Sequence, residues 1–160
     1  MKKVFLLLTM ALCVVVGVNA QGVGKDKVAV YVTGNLDNSH KQIVTAKAMS
    51  RISRCKEYVT LERTEAFLNA IVQESDYQVS GEVREDQIVS IGQRFGAQLV
   101  AILEVNKIDD GTCFLSARII NVESGMVLKS VDASRKITGT DDLIALTNNV
   151  TYRLVSKESK

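Results

Sequence analysis

The chain has 160 residues, of which 46% are hydrophobic and 24% are charged, and it contains neither Pro nor Trp. This composition is too apolar for a disordered protein, and the charges are spread too evenly for a coiled coil. The 20 basic residues nearly balance the 18 acidic ones, which excludes the basic surface of a nucleic-acid-binding or anionic-membrane-binding protein. We therefore expect one ordinary globular domain with a short appendage.

The appendage has the three parts of a secretory signal peptide. Lys2 and Lys3 form a basic start, Val4–Val18 is an apolar run, and small residues precede the expected cleavage point. A membrane-spanning helix needs about 20 apolar residues, and this run is shorter, so we predict no transmembrane segment in the mature chain. Residues 1–20 are assigned as the signal peptide and residues 21–160 as the mature domain.

If the chain is exported, two further properties follow: whether Cys13 carries a lipid, and the net charge of the mature chain. Cys13 is a poor lipidation site, because the bulky Leu12 precedes it and cleavage there would leave a very short apolar core. We therefore expect a soluble periplasmic protein without a lipid anchor. Removing the two lysines of the signal peptide from the 20 basic residues leaves 18, equal to the 18 acidic residues.

The first half of the mature chain predicts two strands and two helices. Alternating valines predict a strand over Lys27–Thr33. Ser39, with a glutamine three residues later, has the spacing of a capping box and predicts a helix over about 40–55. A short strand follows at Tyr58–Glu62, and Thr64 is the predicted N-cap of a second helix.

The second half predicts two helices and a three-stranded meander. A helix begins near Arg84 and ends at Gly96, with one apolar face. Leu99–Val105 is nearly all apolar and fits a central strand covered on both faces. The remaining predicted elements are strands at Cys113–Val122 and Met126–Ala133 and a last helix capped by Thr140. The order β-α-β-α-α-β-β-β-α predicts a single α+β domain, in which one mixed central sheet of about five strands packs with about four helices.

The two cysteines of the mature chain, Cys55 and Cys113, leave two interpretations open. In an exported protein they could form a disulfide, provided that their Cα atoms come within reach. Alternatively, each is a buried thiol that packs as a small apolar residue. One histidine and two scattered cysteines lack the spacing of a zinc site.

No catalytic or cofactor motif is present in the sequence. The Gly-Lys segment at Gly22–Lys25 precedes a strand, whereas a phosphate loop follows one. His40 lies at a helix start, where a surface position beside the N-cap explains it. The acidic cluster that includes Glu82, Glu85 and Asp86 lies at a predicted helix N-terminus, where acidic residues are stabilising without any catalytic role. We therefore expect no cofactor and no enzymatic activity.

Several short motifs in fixed order resemble the curli-assembly CsgG-like family, which includes the penicillin-binding-protein activator LpoB group. In chain order they are Leu61-Glu62-Arg63, Glu74, Ser80-Gly81, Ile91-Gly92, Phe95-Gly96-Ala97 and the segment from Ala117 to Gly125. The resemblance covers roughly residues 27–155, nearly the whole mature domain.

Physical chemistry gives the motif positions structural roles. Gly92 lies on a buried helix face, where a missing side chain lets another element approach closely. Gly96 ends the helix, Ser80-Gly81 forms a turn, and Glu62 with Arg63 forms an ion pair or a cap between a strand and a helix. We therefore interpret these residues as determinants of the fold and not as a binding site.

The resemblance implies a non-catalytic periplasmic accessory or interaction domain of the cell envelope. Its implied partner is an envelope protein such as a peptidoglycan synthase or a secretion or assembly complex, and homo-oligomers are a further implied state. The chain has no room for the paired hairpins, with strands of about 9 to 11 residues, that a barrel-forming channel requires. The four tyrosines are candidate interface anchors: Tyr31, Tyr58, Tyr77 and Tyr152.

Two alternatives remain. The first is a periplasmic protein that binds a small ligand or a glycan, for which the sign would be a large pocket with convergent polar groups. The second is a hydrolase, for which the sign would be a polar cleft with two carboxyl groups of raised pKa.

Overall fold

The computed structural model describes residues 24–61, 69–70, 85–108 and 111–156, and these form five strands and three helices. In chain order the elements are β1 (Asp26–Gly34), α1 (Asn38–Ile52), β2 (Tyr58–Thr60), α2 (Glu85–Arg94), β3 (Leu99–Lys107), β4 (Thr112–Asn121), β5 (Val127–Lys136) and α3 (Thr140–Val155). The predicted α+β class and element order are confirmed. The helix predicted to start at Thr64 lies outside the described residues, apart from Asn69 and Ala70, which are helical.

The strands form one mixed sheet in the order β2-β1-β3-β4-β5. β1 is parallel to both β2 and β3, whereas β4 is antiparallel to both β3 and β5. β3 occupies the centre, and its first five residues are all buried. The prediction of a central strand covered on both faces is therefore confirmed, because helices pack on both sides of it.

The two faces of the sheet carry separate apolar cores. The alternating valines of β1 (Val28, Val30 and Val32) belong to the larger core, which α1 and α3 cover. Residues of opposite parity, such as Ala29, belong to the smaller core, which includes Ile91 of α2. The period of two in a strand separates its side chains between the faces, so one strand contributes to both cores.

Two predicted N-caps are wrong by a short distance. Asp37, and not Ser39, caps α1, and its carboxylate accepts a hydrogen bond of 2.9 Å from the His40 N–H. The segment from residue 37 to residue 39 holds three consecutive residues of capping type, and apolar periodicity cannot choose among them. α3 begins after Gly139, so Thr140 is its first residue and not its cap.

The start of α3 is stabilised by a carboxylate inside its first turn. Asp142 accepts hydrogen bonds of 2.9 Å from the Thr138 N–H and 2.6 Å from the Thr138 hydroxyl. Asp142 also lies 3.1 Å from the Arg135 guanidinium. The hydrogen bonds from Thr138, followed by the contact with Arg135, hold the pKa of the Asp142 carboxyl below its usual value.

The two cysteines lie near opposite ends of the sheet and are free thiols. Cys55 precedes β2, whose Tyr58 pairs with Asp26 at the start of β1, whereas Cys113 pairs with Lys107 at the end of β3. Along the strand direction, the strand registers separate Tyr58 from Cys113 by roughly ten residues, or about 33 Å. A disulfide needs Cα atoms within about 7 Å of each other. The fold therefore favours two packed thiols over an intramolecular disulfide, and burial raises the pKa of both.

Two fully buried threonines in α3 give a matched stability prediction. Thr147 donates its hydroxyl to the Leu143 carbonyl at 2.8 Å, whereas the buried Thr151 hydroxyl has no hydrogen-bond partner among the described residues. We expect Thr151→Val to raise the free energy of unfolding by about 1 kcal/mol, because valine keeps the shape and removes an unsatisfied polar group. Urea unfolding followed by circular dichroism measures this effect.

Thr147→Val is the control for that change, since it removes a hydroxyl that is already satisfied at the same burial. It should produce no comparable gain. Equal effects of the two substitutions on the urea midpoint would show that the missing hydrogen bond of Thr151 is not the cause.

Candidate functional site

The nine family-motif residues do not form a common site in the described part of the chain. Five of them lie outside the described residues: Glu62, Arg63, Glu74, Ser80 and Gly81. Gly92, in the last turn of α2, and Ala97, three residues beyond its end, are both buried, and the Ala97 N–H donates to the Gly92 carbonyl at 3.0 Å. Gly96 and Gly125 have φ of +75° and +67° and lie in turns. The four described motif residues therefore lie in a buried helix contact and in turns.

The close approach predicted at Gly92 is present. A Cβ added to Gly92 would lie 2.6 Å from Cγ2 of Val100 on β3. This distance shows that α2 packs directly on the central strand at this glycine. Gly96 then ends the helix and turns the chain into β3, as predicted.

A small pocket at the start of α1 brings together residue types found in cysteine hydrolases. It has a volume of about 200 Å³, and its lining includes Asp37, His40, Lys107 and Cys113. Cys113 is only 3% exposed, and burial raises the pKa of its thiol, so the reactive thiolate is disfavoured. The His40 imidazole pairs through Nδ1 with the Asp37 carboxylate. Helix capping and core packing therefore account for these residues.

The Asp37 carboxyl is part of the same cap. The His40 N–H, and then the His40 side chain, hold the pKa of this carboxyl below its usual value of 3.8. Its contribution to stability is consequently present above that value and is lost as the pH falls through the lowered pKa. The sequence predicts His40 beside the cap Ser39, whereas the structure has it in the first turn, three residues after the observed cap Asp37.

Among the described residues, a run of exposed apolar side chains lies at the start of β5. Met126, Val127 and Leu128 are 64%, 49% and 56% exposed, respectively, and we call them the β5 patch. The turn before them is held by Asn121, whose side-chain oxygen accepts hydrogen bonds from the Glu123 and Ser124 N–H groups at 3.0 and 2.8 Å. Three consecutive exposed apolar side chains at the start of a strand mark a candidate contact surface.

The edge of β5 is arranged to present side chains and not to accept another strand. Among the described strands β5 pairs only with β4, so its outer edge is open. The register shifts there: Ile119 pairs with Lys129 and Ile120 pairs with Val127, which leaves Leu128 as the extra residue of a bulge. Bulges and charged residues oppose edge-to-edge pairing, and the strand ends in Arg135 and Lys136. Contacts at the β5 patch therefore depend on its side chains.

A second surface feature is a groove between α1 and α3. Its volume is about 370 Å³, and it is lined by Lys47, Ser50, Arg51, Arg54, Asn148, Asn149 and Tyr152. Of the predicted tyrosine anchors, Tyr152 is 53% exposed, Tyr31 and Tyr58 are half-buried, and Tyr77 lies outside the described residues. The sequence could not reveal the groove, because its lining comes from helices that are distant in the chain.

No protein-family model and no curated protein sequence matches the chain. Solved structures do match. The C-terminal domain of LpoB from Salmonella enterica superposes with a TM-score of 0.50 at 12% identity, covering 70% of this chain and 83% of that one. PelC from Paraburkholderia phytofirmans, solved as a dodecamer, gives a TM-score of 0.54 at 13% identity, with coverage of 84% and 91%. Lipoprotein GNA1162 from Neisseria meningitidis gives 0.55 at 14% identity, with coverage of 84% and 99%.

At these identities the matches show a shared fold. The resemblance to the LpoB group, predicted from the motifs, is confirmed at the level of the fold, whereas the link to the curli channel stays a prediction. No helix in the described part of the chain is long and apolar enough to cross a membrane.

Proposed function

We propose that this protein is a non-catalytic accessory domain of the cell envelope that binds another envelope protein through the β5 patch. The observation that carries the proposal is the run of three exposed apolar residues on a turn-held, bulged edge strand. The predicted signal peptide supports a periplasmic location. The shared fold of the LpoB domain and of lipoprotein GNA1162 supports an accessory role in the envelope.

A different protein is the favoured partner over a second copy of this chain. Two copies would most simply join by pairing their open β5 edges. The bulge at Leu128 and the charged side chains of Arg135 and Lys136 at the end of the strand oppose that pairing. A peptidoglycan synthase or a secretion or assembly complex fits the implied setting. PelC, which shares this fold, was solved as a dodecamer. The test must therefore distinguish a different partner from self-association.

In vivo photocrosslinking tests this proposal. A photoreactive residue at Leu128 should capture a different envelope protein, identified by mass spectrometry, whereas one at the exposed Gln42 on α1 should not. Adducts of the chain only with itself, or equal capture from Gln42, would contradict the proposed contact surface.

A substitution separates binding from folding at the same surface. Leu128→Glu should abolish capture of that partner from a neighbouring photoreactive position, because the new carboxylate would be desolvated and unpaired within an apolar contact. Its effect on the free energy of unfolding should stay within about 0.5 kcal/mol, since Leu128 is exposed. Ser130→Glu, at an exposed position of the same strand, is the matched control and should retain capture.

Binding of a small ligand is the second candidate function. The groove between α1 and α3 favours it, since it is a pocket of adequate volume with convergent polar groups.

A further inference from the structure

We infer that the groove between α1 and α3 binds a small hydroxylated anion, such as a sugar that carries a phosphate or a carboxylate. Its α1 side supplies three cationic side chains, from Lys47, Arg51 and Arg54, and the lining includes no carboxylate. Its α3 side supplies the amides of Asn148 and Asn149 together with the Tyr152 ring. This inference rests on the second candidate function above and is independent of the β5 patch, which is a separate surface.

Arg51 is the most constrained of the three cations. Its guanidinium carbon lies 4.5 Å from the centroid of the Tyr152 ring, so a cation–π contact between the two helices orients its plane. Its Nε is buried and has no hydrogen-bond partner among the described residues. A guanidinium held in one plane is suited to a bidentate contact with a carboxylate or a phosphate. Arg51 therefore presents an ordered anion-binding group at the groove.

Among the residues that the structure describes, no salt bridge neutralises the positive charge of the groove. Neither Lys47 nor Arg54 forms a salt bridge with any residue that the structure describes. α1 follows β1 and α3 follows β5, and these two strands run in the same direction. Each helix returns along the sheet, so the C-termini of both helices lie at the same end of the molecule. Each C-terminus contributes about half a negative charge, which is small against three formal positive charges. An anion is therefore the favoured occupant.

Helix capping alone does not explain this arrangement. Arg51 lies in the last turn of α1, where a cation complements the helix dipole, and Arg54 lies two residues beyond the end of the helix. Lys47 lies further from that end, and the two asparagines belong to the other helix. Amide side chains both donate and accept hydrogen bonds, so they are suited to the hydroxyl groups of a ligand. The volume of about 370 Å³ is within the range of small-molecule sites.

Calorimetric titration of the mature protein at low ionic strength tests this inference with three probes. Glucose 6-phosphate and glucuronate carry the two anionic groups on similar sugars, and glucose is the neutral control. We expect at least one of the two anions to bind and glucose not to bind, and the stronger anion identifies the preferred group. Failure of both anions to bind, or binding of glucose as tightly as either of them, would overturn the inference.

Matched arginine variants locate the site. Arg54→Gln removes an exposed cation of the groove and should weaken anion binding by at least about tenfold. Arg94→Gln removes an exposed arginine of α2 on the opposite face of the sheet and should leave the affinity unchanged. Equal affinities of the two variants would overturn the assignment to this groove. Leu128→Glu should not change anion binding, so failure of the protein-contact proposal and failure of this one are distinguishable.

Discussion

Replacing Gly34 with alanine should reduce the free energy of unfolding by at least about 4 kcal/mol, a loss at the extreme of single substitutions. Gly34 has φ of +115°, and an added Cβ would lie 2.0 Å from the carbonyl oxygen of Val105 on β3. The obstacle is backbone, so no side-chain rotation relieves it. A domain of this size is stable by about 5–15 kcal/mol, so this loss approaches the limit of folding.

The neighbouring residue prevents the two strands from separating to make room. The side-chain amide of Asn35 donates from Nδ2 to the Lys107 carbonyl at 3.0 Å, and its oxygen Oδ1 accepts from the Lys107 N–H at 2.7 Å. The Asn35 N–H also donates to the Asn106 side chain at 3.1 Å. These bonds extend the β1–β3 ladder beyond Gly34, so moving the strands apart there would break several hydrogen bonds at once.

Two other glycines serve as controls that separate the cost of a positive φ from the cost of the collision with Val105. Gly125→Ala meets no atom within 4 Å but retains a positive φ of +67°, so it should cost only about 1–2 kcal/mol. Gly139→Ala has open space and an extended backbone, so it should cost no more than about 1 kcal/mol, which is the disadvantage of alanine at the N-cap of α3. The measurement is urea unfolding of all three variants. A cost for Gly34→Ala no greater than that for Gly125→Ala would show that the collision with Val105 is absent.

Gly92→Ala should lower the free energy of unfolding by about 2 kcal/mol, even though alanine is the better helix former. The added methyl group would lie 2.6 Å from Cγ2 of Val100, and overpacking of this kind costs about 1–3 kcal/mol. Helix propensity favours alanine by up to about 1 kcal/mol. The clash exceeds that gain because α2 and β3 are both fixed in the core and cannot move apart freely.

A double-mutant cycle tests this explanation. Val100→Ala removes the methyl group that the new Cβ would meet, so Gly92→Ala should cost at least about 1 kcal/mol less in that background. Ser90→Ala, at an exposed position of the same helix, controls for helix propensity and should be nearly neutral. The same cost of Gly92→Ala in both backgrounds would exclude the contact with Val100 as the cause. The contrast with Gly34 is informative, because there no truncated side chain could rescue the fold.

The strand and helix patterns were sufficient to predict most of the fold. The alternating valines of β1 lie on one face, as their period of two requires. The apolar run at Leu99 became the buried central strand β3 because both of its faces are covered. The helix starts were less predictable, since Asp37, Asn38 and Ser39 are all good caps and only the tertiary path of the chain selected Asp37.

The candidate surfaces were much less predictable. The apolar pattern predicts a strand that starts at Met126, but it does not reveal that this strand forms an open edge with a bulge at Leu128. Tyr152 was proposed as an anchor by residue type alone. Its contact with Arg51 joins residues that lie far apart in the chain, and no local pattern encodes such a pair.

The sequence by itself determined the α+β class, the element order and the structural roles of Gly92 and Gly96, whereas the export signal stays a prediction. These properties follow from local periodicity and from the conformational preferences of single residues. Only the tertiary structure decided which strand lies at the edge, where the cysteines lie relative to each other, and which cations share a groove. Those features depend on contacts between distant segments, and such contacts are fixed when the sheet registers and the helices pack together.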